Sequence, residues 1–477
     1  EARFRKVEQA VVRRAVAGSG RVIATGGGAV LSAAARRALR QAGPVFYLKA
    51  PLEVLVQRAG SASGRPLLGT DPRAALERLL REREAFYVET GTAVDAARPV
   101  EAVADDILAR LSATRRRVRV DLGPRSYDVL IGAGALPLVG EDLKRIGANG
   151  QVAVITQRPI ASRFGARVTA ALDGCGFSAH VLTAPGGERA KSLRQAAALV
   201  DALGALGITR SDTIVAMGGG VVGDLAGFVA GIYMRGVRLV QVPTTLLAQI
   251  DSAIGGKTAV NHPRAKNLVG VYHQPALVIA DVETLASLPT TERRAGLAEA
   301  VKYGMVLDAD LFERLERGDA GAALAGAPHA LEEIVFRCAS LKAQIVAGDE
   351  REHGPREVLN YGHTVGHAVE IVWAGHLIHG EAISIGMRVE AALAVRLGLL
   401  EADAAGRQDA LLAGLGLPVR VPAGPIGAVM DAIQLDKKRR NGRIRCSLPE
   451  GIGRARLGVD VPESLMEEVI TACQRSS

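Results

Sequence analysis

The chain has 477 residues, 48% of them hydrophobic, 23% charged and only 3% aromatic; that balance excludes a disordered or collagen-like polypeptide, and so few aromatics argue against a single-strand nucleic-acid binder, which needs stacking platforms. At roughly 100–200 residues per domain, the length predicts two to four domains. The formal charge of +9 points to an anionic partner, whether DNA, a membrane surface or a small phosphorylated metabolite.

The chain opens at Glu1 on a charged helical pattern without a Met, as though cut from something longer. Glu1–Ala17 has helical periodicity, and Arg21–Thr25 reads as a short strand running into Gly26-Gly27-Gly28. A second strand at Pro44–Leu48 and a long charged helix at Ala74–Val88 follow. This alternation predicts part of a parallel α/β sheet. Residues 113–117, within an Arg-rich stretch, are expected to be a linker. Val118–Leu122 and Ser126–Ile131, separated by Gly-Pro, predict a hairpin that opens a new domain. Strands are expected at Val152–Thr156, His180–Leu182, Thr213–Met217, Leu239–Val242 and Leu277–Ala280. Helical periodicity then dominates from Glu292 to about Leu415, and Ile444–Leu448 reads as a hairpin strand in a mixed tail. The expected division is therefore 1–112, 118–282 and 283–477, an α/β segment, an α/β nucleotide-binding half and a helical half. No apolar run approaches the ~18 residues of a membrane span, and no signal peptide is evident. The isolated cysteines 175, 338, 446 and 473 fit a reducing cytoplasm better than a disulfide framework or a cysteine zinc site.

The strongest local motif is Thr213–Met217 followed by Gly218-Gly219-Gly220-Val221-Val222-Gly223-Asp224. Strand, G-x-G-x-x-G and helix together let backbone N–H groups hold a pyrophosphate. Pro243-Thr244-Thr245 stands where an acidic ribose ligand is usual, so a dinucleotide here would be held differently from a standard Rossmann protein. The similar Val22–Gly28 is read as another strand-to-loop turn, not a duplication, because its flanks do not match. Arg235, Thr244, Thr245, Asp251, Lys257, Lys266 and Asn267 cluster around apolar strands and suggest an anion site. Gly255-Gly256-Lys257-Thr258 is not a Walker motif, since Ala253-Ile254 precede it in place of the earlier glycine and strand. His363 and His367 stand at i and i+4 on one helix face, with His376, His379, Glu381 and the earlier Glu299 as further ligand types. Spacing alone does not select among His363, His367, His376 and His379, although helix geometry on its own would pair His363 with His367. The basic run Asp436–Gly442 lacks aromatics and reads as a solvated loop or an anion clamp, not a DNA contact.

From about Val118 onward these motifs resemble the 3-dehydroquinate synthase family. The resemblance rests on Gly218–Phe228, Tyr233-Met-Arg-Gly, Gln241–Leu247, Asp251–His262, Lys266-Asn267, Gly296–Gly304, Asn360–Ala368, His379-Gly-Glu381 and Asp436–Lys438, in the family's order and spacing. It implies a Rossmann-like NAD-binding domain followed by an all-helical metal-binding domain, with NAD and one divalent metal, zinc or cobalt, as cofactors. The implied metal ligands are Glu299, His363 and His379, which leaves His367 to the substrate. Gly187, Glu188, Lys191, Gly219, Gly220, Val221, Asp224, Thr244, Thr245, Lys257, Lys266, Thr284 and Ser287 would line the NAD site. Arg235, Asp251, Lys257, Asn267, Lys302, Lys342, Arg356, Asn360, His367 and Lys437 or Lys438 would hold the substrate. The implied reaction converts 3-deoxy-D-arabino-heptulosonate 7-phosphate to 3-dehydroquinate through transient oxidation at C5, phosphate elimination, re-reduction and intramolecular aldol closure. The resemblance also implies a cytoplasmic homodimer acting on a phosphorylated sugar acid, with no nucleic-acid or membrane partner.

Residues 1–112 resemble the rear part of shikimate kinase, a partial P-loop-kinase-type α/β segment. Phe4-Arg5-x-x-Glu8, Gly26-Gly27-Gly28, Arg65-Pro-Leu-Leu and Arg83-Glu-Ala-Phe-Tyr87 carry this resemblance. It implies shikimate contacts from Arg5, Gly26, Gly27, Gly28 and Arg83, with Arg65 facing ATP. The family's P-loop would precede Glu1, so phosphoryl transfer is not expected of the chain as given. Three readings compete for the larger part: a synthase or another sugar-phosphate cyclase, a metal-dependent alcohol dehydrogenase of the glycerol type, and a catalytically dead module. The anion-binding set favours the first, and the kinase-like segment favours dehydroquinate among its products.

Overall fold

A computed structural model describes residues 2–16, 22–42, 44–59, 71–112, 115–262, 265–352, 354–435, 439–440 and 443–475. The chain forms two compact units, Glu1–Thr114 and Arg115–Ser477.

In the first unit, β1 (Phe46–Lys49) and β2 (Thr92–Asp95) pair in parallel. The long helix spans Pro72–Thr90; Asp71 caps it by accepting from the Ala74 amide, and Pro72 suits its first turn. The strand expected at Arg21–Thr25 does not form. Residues 22–25 are non-regular, Val22 is fully exposed, and Arg21 lies outside the described residues. An apolar run without a neighbouring strand has no ladder to satisfy its amides, and among the described residues β1 and β2 pair only with each other.

The second unit begins inside the expected linker. β3 (Arg116–Val120) and β4 (Tyr127–Gly132) form the predicted antiparallel hairpin, with Val120 opposite Tyr127. The arginines there are held in place: Arg115 pairs with Asp142 (2.9 Å), and Arg116 pairs with Glu333 (2.6 Å) while lying 3.4 Å over the Phe336 ring. Neutralised and stacked, this run is structure and not a solvated tether.

The remaining strands are β5 (Gln151–Gln157), β6 (Ser178–Ala184), β7 (Thr213–Gly218), β8 (Arg238–Pro243) and β11 (Leu277–Asp281). Seven strands form one sheet in the order β3-β4-β11-β8-β7-β5-β6, parallel except for β3. β7 is buried along its whole length, as an apolar run covered on both faces must be. From β5 the chain runs outward to β6, and from β7 the other way to β8, so a topological switch lies between β5 and β7. Ligands bind at such points, outside the carboxyl ends of the strands. A separate antiparallel hairpin, β9 (Lys257–His262) and β10 (Ala265–Tyr272), packs Val260, Val269 and Val271 with Leu225 and Val229 of helix Gly220–Ile232.

The rest is mainly helical, with the expected hairpin in its tail. There β13 (Arg443–Gly451) pairs with β14 (Arg454–Pro462) and with the two-residue β12 (Arg439–Arg440). Helix Thr290–Leu307 is buried at every residue from Ala295 to Val306, so its polar side chains Glu299 and Lys302 lie inside the core. Helices His363–Val372 and His379–Arg396 pack beside it. Gly380 sits against the Ala295 backbone and Gly386 against the Gly362 carbonyl, each with no room for a Cβ. That closeness brings three helix backbones together around one polar point.

Candidate active site

β7 ends at Gly218, and Gly219 caps the helix that follows with extended backbone and no side-chain bond. A Cβ at Gly219 would stand 2.9 Å from Thr245 Cγ2, and one at Gly220 would stand 3.1 Å from Ser252 Oγ. Glycine therefore keeps this helix N-terminus open to a pyrophosphate. The Thr244 amide donates to the Gly218 carbonyl (2.9 Å), which fixes Thr244 and Thr245 beside that opening. Val221 and Asp224 lie in the first turns of the helix.

Lys191, 5% exposed, donates to Asp224 (2.6 Å) and to the Asn267 side chain (2.5 Å). Burial raises the Asp224 pKa, and Lys191 opposes that rise. Gly187 takes a left-handed φ of 76°. Glu188 accepts from Asn261 Nδ2 (2.7 Å), and the Asn261 side-chain oxygen accepts from the Asn267 amide (2.9 Å). Asn261, which the sequence reading did not select, thus ties together Glu188 and Asn267. Thr284 is buried; its hydroxyl donates to the Asp281 carbonyl (2.7 Å), and Ser287 donates to the Thr284 carbonyl (2.9 Å).

Glu299 is fully buried, with Oε1 3.5 Å from His363 Nε2 and 3.6 Å from His379 Nε2. The Tyr361 carbonyl, an acceptor only, lies 3.0 Å from His363 Nδ1, so that nitrogen carries the proton and Nε2 faces Glu299 with its lone pair. Glu370 Oε2 likewise accepts from His379 Nδ1, at 3.3 Å. Lys302 forms an ion pair with Glu299, yet neither carboxylate oxygen accepts a well-formed hydrogen bond. Burial alone would raise the Glu299 pKa, but Lys302, His363 and His379 outweigh it and hold the carboxylate well below its usual range. Burial and Lys302 hold His363 well below the usual imidazole range. Burial would lower the His379 pKa, but Glu299 and Glu370 raise it to about 9. A buried carboxylate without a well-formed hydrogen bond, facing the Nε2 atoms of two imidazole rings whose Nδ1 atoms are already engaged, fits a divalent cation such as zinc or cobalt, which would take the place of the proton on His379 Nε2. The ligand-type atoms gathered around Glu299 are those of Glu299, His363 and His379; His367, which geometry alone would pair with His363, is not among them. The His367 ring stands 5.1 Å from that of His363 and 6.0 Å from that of His379, at the exposed side of the cluster.

Next to this point lies a group of cations. Lys342 pairs with Asp251, whose Oδ1 also accepts from Tyr303 (2.9 Å). Lys257 pairs with Glu352, which also accepts from Asn360 Nδ2 (3.2 Å). Arg356, 2% exposed, donates to the Glu350 carbonyl (2.7 Å), and Gly255, at φ 106°, leaves the room its guanidinium occupies. Burial lowers the Lys257 pKa to about 8, with Arg356 and Lys342 adding to the effect. Cations crowded so that burial and their neighbours lower the pKa values of Lys257 and Lys342 form a natural seat for a carboxylate or phosphate. Tyr303 and Glu352 escaped the sequence reading.

Lys266 is held by Glu370 (2.8 Å). Arg235 is not brought into the cluster: it is exposed at the far end of helix Gly220–Ile232, in a left-handed turn (φ 64°). There Arg210 holds the Met234 carbonyl (2.8 Å). Among the described residues, no hydrogen bond or ion pair links Arg235 to Lys257, Lys342 or Arg356. Lys437 and Lys438 lie outside the described residues, as do Arg65 and the side chain of Arg5. In the first unit, Tyr87 donates to the Gly27 carbonyl (2.6 Å), and Arg83 NH1 lies 3.9 Å from where a Gly27 Cβ would stand, so Gly26–Gly28 and Arg83 share one surface.

Residues 181–295 match the family described as 3-dehydroquinate synthase N-terminal, 296–439 the 3-dehydroquinate synthase C-terminal family, and 1–112 shikimate kinase. A 3-dehydroquinate synthase of Synechococcus sp. is 44% identical over 363 residues, spanning 75% of this chain and 98% of its own. That of Pelobacter propionicus is 47% identical over 335 residues, covering 70% of this chain and 93% of its own. Among solved structures, a 2-deoxy-scyllo-inosose synthase complexed with carbaglucose-6-phosphate, NAD+ and Co2+ is 30% identical with a TM-score of 0.70, covering 76% of this chain and 100% of its own. A 2-epi-5-epi-valiolone synthase from Streptomyces hygroscopicus with NAD+ and Zn2+ bound is 31% identical with a TM-score of 0.68, covering 73% of this chain and 96% of its own. A probable glycerol dehydrogenase from Sinorhizobium meliloti shares the fold at 17% identity and a TM-score of 0.52. No helix among the described residues is long and apolar enough to cross a membrane.

Proposed function

The chain belongs to the 3-dehydroquinate synthase family, and we propose that its second unit converts 3-deoxy-D-arabino-heptulosonate 7-phosphate to 3-dehydroquinate and phosphate, with residues 118–282 holding NAD and 283–477 the metal. The observation that carries this reading is the adjacency of the Glu299–His363–His379 group to the cations Lys257, Lys342 and Arg356. A simple alcohol dehydrogenase needs the first and has no use for the second.

When bound, NAD supplies a hydride acceptor that returns what it takes, and the divalent ion supplies a Lewis acid for the hydroxyl being oxidised. The chain's own residues do the rest. Gly219, Gly220 and Val221 present backbone N–H groups to the pyrophosphate, with Lys191, Asp224, Thr244 and Thr245 beside them. Glu299, His363 and His379 are the metal ligands in this reading, and Lys302 lies against Glu299. Asp251, held ionised by Lys342, accepts from a substrate hydroxyl, while Asn267, Asn360 and His367 orient the others. Lys257 and Arg356 seat the anionic ends. Once the neighbouring carbon is acidified by the new ketone, the leaving phosphate takes its proton, so the site has only to hold that phosphate in reach. The reading includes a cytoplasmic homodimer, in line with four free cysteines. In the first unit, Gly26–Gly28 and Arg83 form a shikimate-facing surface.

The test is phosphate release from the heptulosonate phosphate, with and without chelator and added NAD. Phosphate release that needs both cofactors and leaves no net NADH supports the synthase. Net NADH from a simple alcohol, without phosphate release, overturns it in favour of a dehydrogenase.

A further inference from the structure

His379 stands between two carboxylates. Its Nε2 faces Glu299 Oε1 at 3.6 Å, and its Nδ1 faces Glu370 Oε2 at 3.3 Å. Glu370 follows His363 by seven residues and His367 by three on helix His363–Val372, so all three lie along one face of it. Its second oxygen accepts from Lys266 Nζ at 2.8 Å. Lys266 comes from β10, in the α/β half, so a chain of contacts runs from that hairpin through Glu370 to His379.

We propose that Glu370 is a positioning residue for the metal site: by accepting from His379 Nδ1 it fixes the tautomer and ring angle that aim Nε2 at the ion, and Lys266 anchors it in that pose. The inference rests on the metal reading above and assigns to two further residues the task of preparing one ligand. An imidazole whose Nδ1 is engaged in this way is oriented before the ion arrives, and Nε2, on yielding its proton to the ion, is a more basic ligand.

A competing arrangement exists. Ligand atoms of His367, Glu370 and His379 also lie within 4.8 Å of one another, so Glu370 could itself be a ligand. That arrangement turns His379 to bind through Nδ1, places an ion beside the Lys266 ammonium, and strands the buried Glu299 oxygens with no hydrogen bond. The Glu299 arrangement also has an ammonium beside it, that of Lys302, but it uses the buried Glu299 oxygens and lets His379 bind through Nε2 while Nδ1 stays on Glu370.

The experiment is metal binding by the full chain, in competition with a chromophoric chelator, for the parent, Glu370→Gln and Lys266→Met. Each is followed with Zn2+ for affinity and with Co2+ for the visible d–d spectrum. The expected result is one ion per chain in all three, with Glu370→Gln about 10–100-fold weaker and Lys266→Met weaker by a smaller factor. The Co2+ band intensity should indicate the parent's coordination number in every case, and NAD affinity in Glu370→Gln should be unchanged. Affinity in Glu370→Gln within twofold of the parent overturns the proposal, as does a changed coordination number, which would make Glu370 a ligand. Failure of the parent itself to bind one ion sinks the metal reading along with it. Lys266→Met, on an exposed hairpin residue, keeps the question decidable should Glu370→Gln fold poorly.

Discussion

Gly386 packs so closely on the Gly362 carbonyl that no Cβ fits between them. Gly362 immediately precedes His363, and Gly386 lies two turns into the helix that His379 begins. The spacing of the two helices that carry His363 and His379 is thus set by backbone contact. Gly386→Ala forces the helices apart and is expected to cost about 1–3 kcal/mol, the usual range for overpacking, together with a loss of metal affinity. Gly414→Ala, in a helical residue with nothing within reach of a Cβ, serves as the control and is expected to be neutral or slightly stabilising. Thermal unfolding and metal titration of both variants check this; equal behaviour in the two would remove the packing argument.

The contrast between these glycines and the histidines shows what a linear reading captures. The sheet strands were legible because β5, β7, β8 and β11 are apolar runs bounded by turns, and the glycine-lined helix start because glycines follow such a strand. The β9–β10 hairpin was not, since Lys257, Asn261 and Lys266 break its alternation for the sake of partners far along the chain: Glu352, Glu188 and Glu370. Geometry alone would pair His363 with His367, but the fold gathers Glu299, His363 and His379 from three helices; the residue pattern offered Glu299 and His379 only among several ligand types, and the family resemblance singled them out. Glu370 had a usable signal in its seven-residue spacing from His363, masked because an acidic residue on a helix usually faces water. Conversely, Val22–Thr25 has strand composition and no strand, because composition says nothing about whether a neighbour exists.

His379→Ala is expected to abolish stoichiometric metal binding and turnover together. Glu299 would then keep one imidazole and Lys302, too few donors for a tetrahedral ion. Dialysis of the parent against chelator should reproduce the loss, and added Zn2+ or Co2+ should restore the parent but not the variant. Metal content by mass spectrometry is the direct check, and a variant with full occupancy would contradict the ligand assignment.

Lys191→Ala should act on the nucleotide instead. Lys191 is the buried partner of Asp224 and bridges it to Asn267. Its loss leaves Asp224 unpaired at the mouth of the glycine cradle, where a carboxylate repels a pyrophosphate. NAD affinity should fall about tenfold or more, as expected for losing a charged hydrogen bond worth ~1.5–3 kcal/mol, with metal content unchanged. Calorimetric titration of NAD separates this from a general loss of structure, because a misfolded variant would lose the metal too.

Phosphate binding should depend on pH through Lys257, and the sign follows from its surroundings. Burial, with Arg356 and Lys342 nearby, lowers its pKa to about 8, against an ordinary lysine value of 10.5. A lysine whose folded pKa is depressed sheds its proton as pH rises through that lower value, so the site loses positive charge above about pH 8. Over the same range the folded chain holds fewer protons than the unfolded one, so the contribution of this group to stability increases with pH while its contribution to anion binding declines. Inorganic phosphate is already a dianion there, so its own titration does not interfere. The parent should therefore bind phosphate progressively more weakly from about pH 8 upward, approaching tenfold per unit. Lys257→Met should bind weakly at every pH with that slope removed, and Lys257→Arg should hold its affinity flat to higher pH because a guanidinium does not deprotonate there. Titration calorimetry from about pH 7 to 10 measures all three; a flat profile for the parent would mean that Lys257 does not carry the charge that seats the anion.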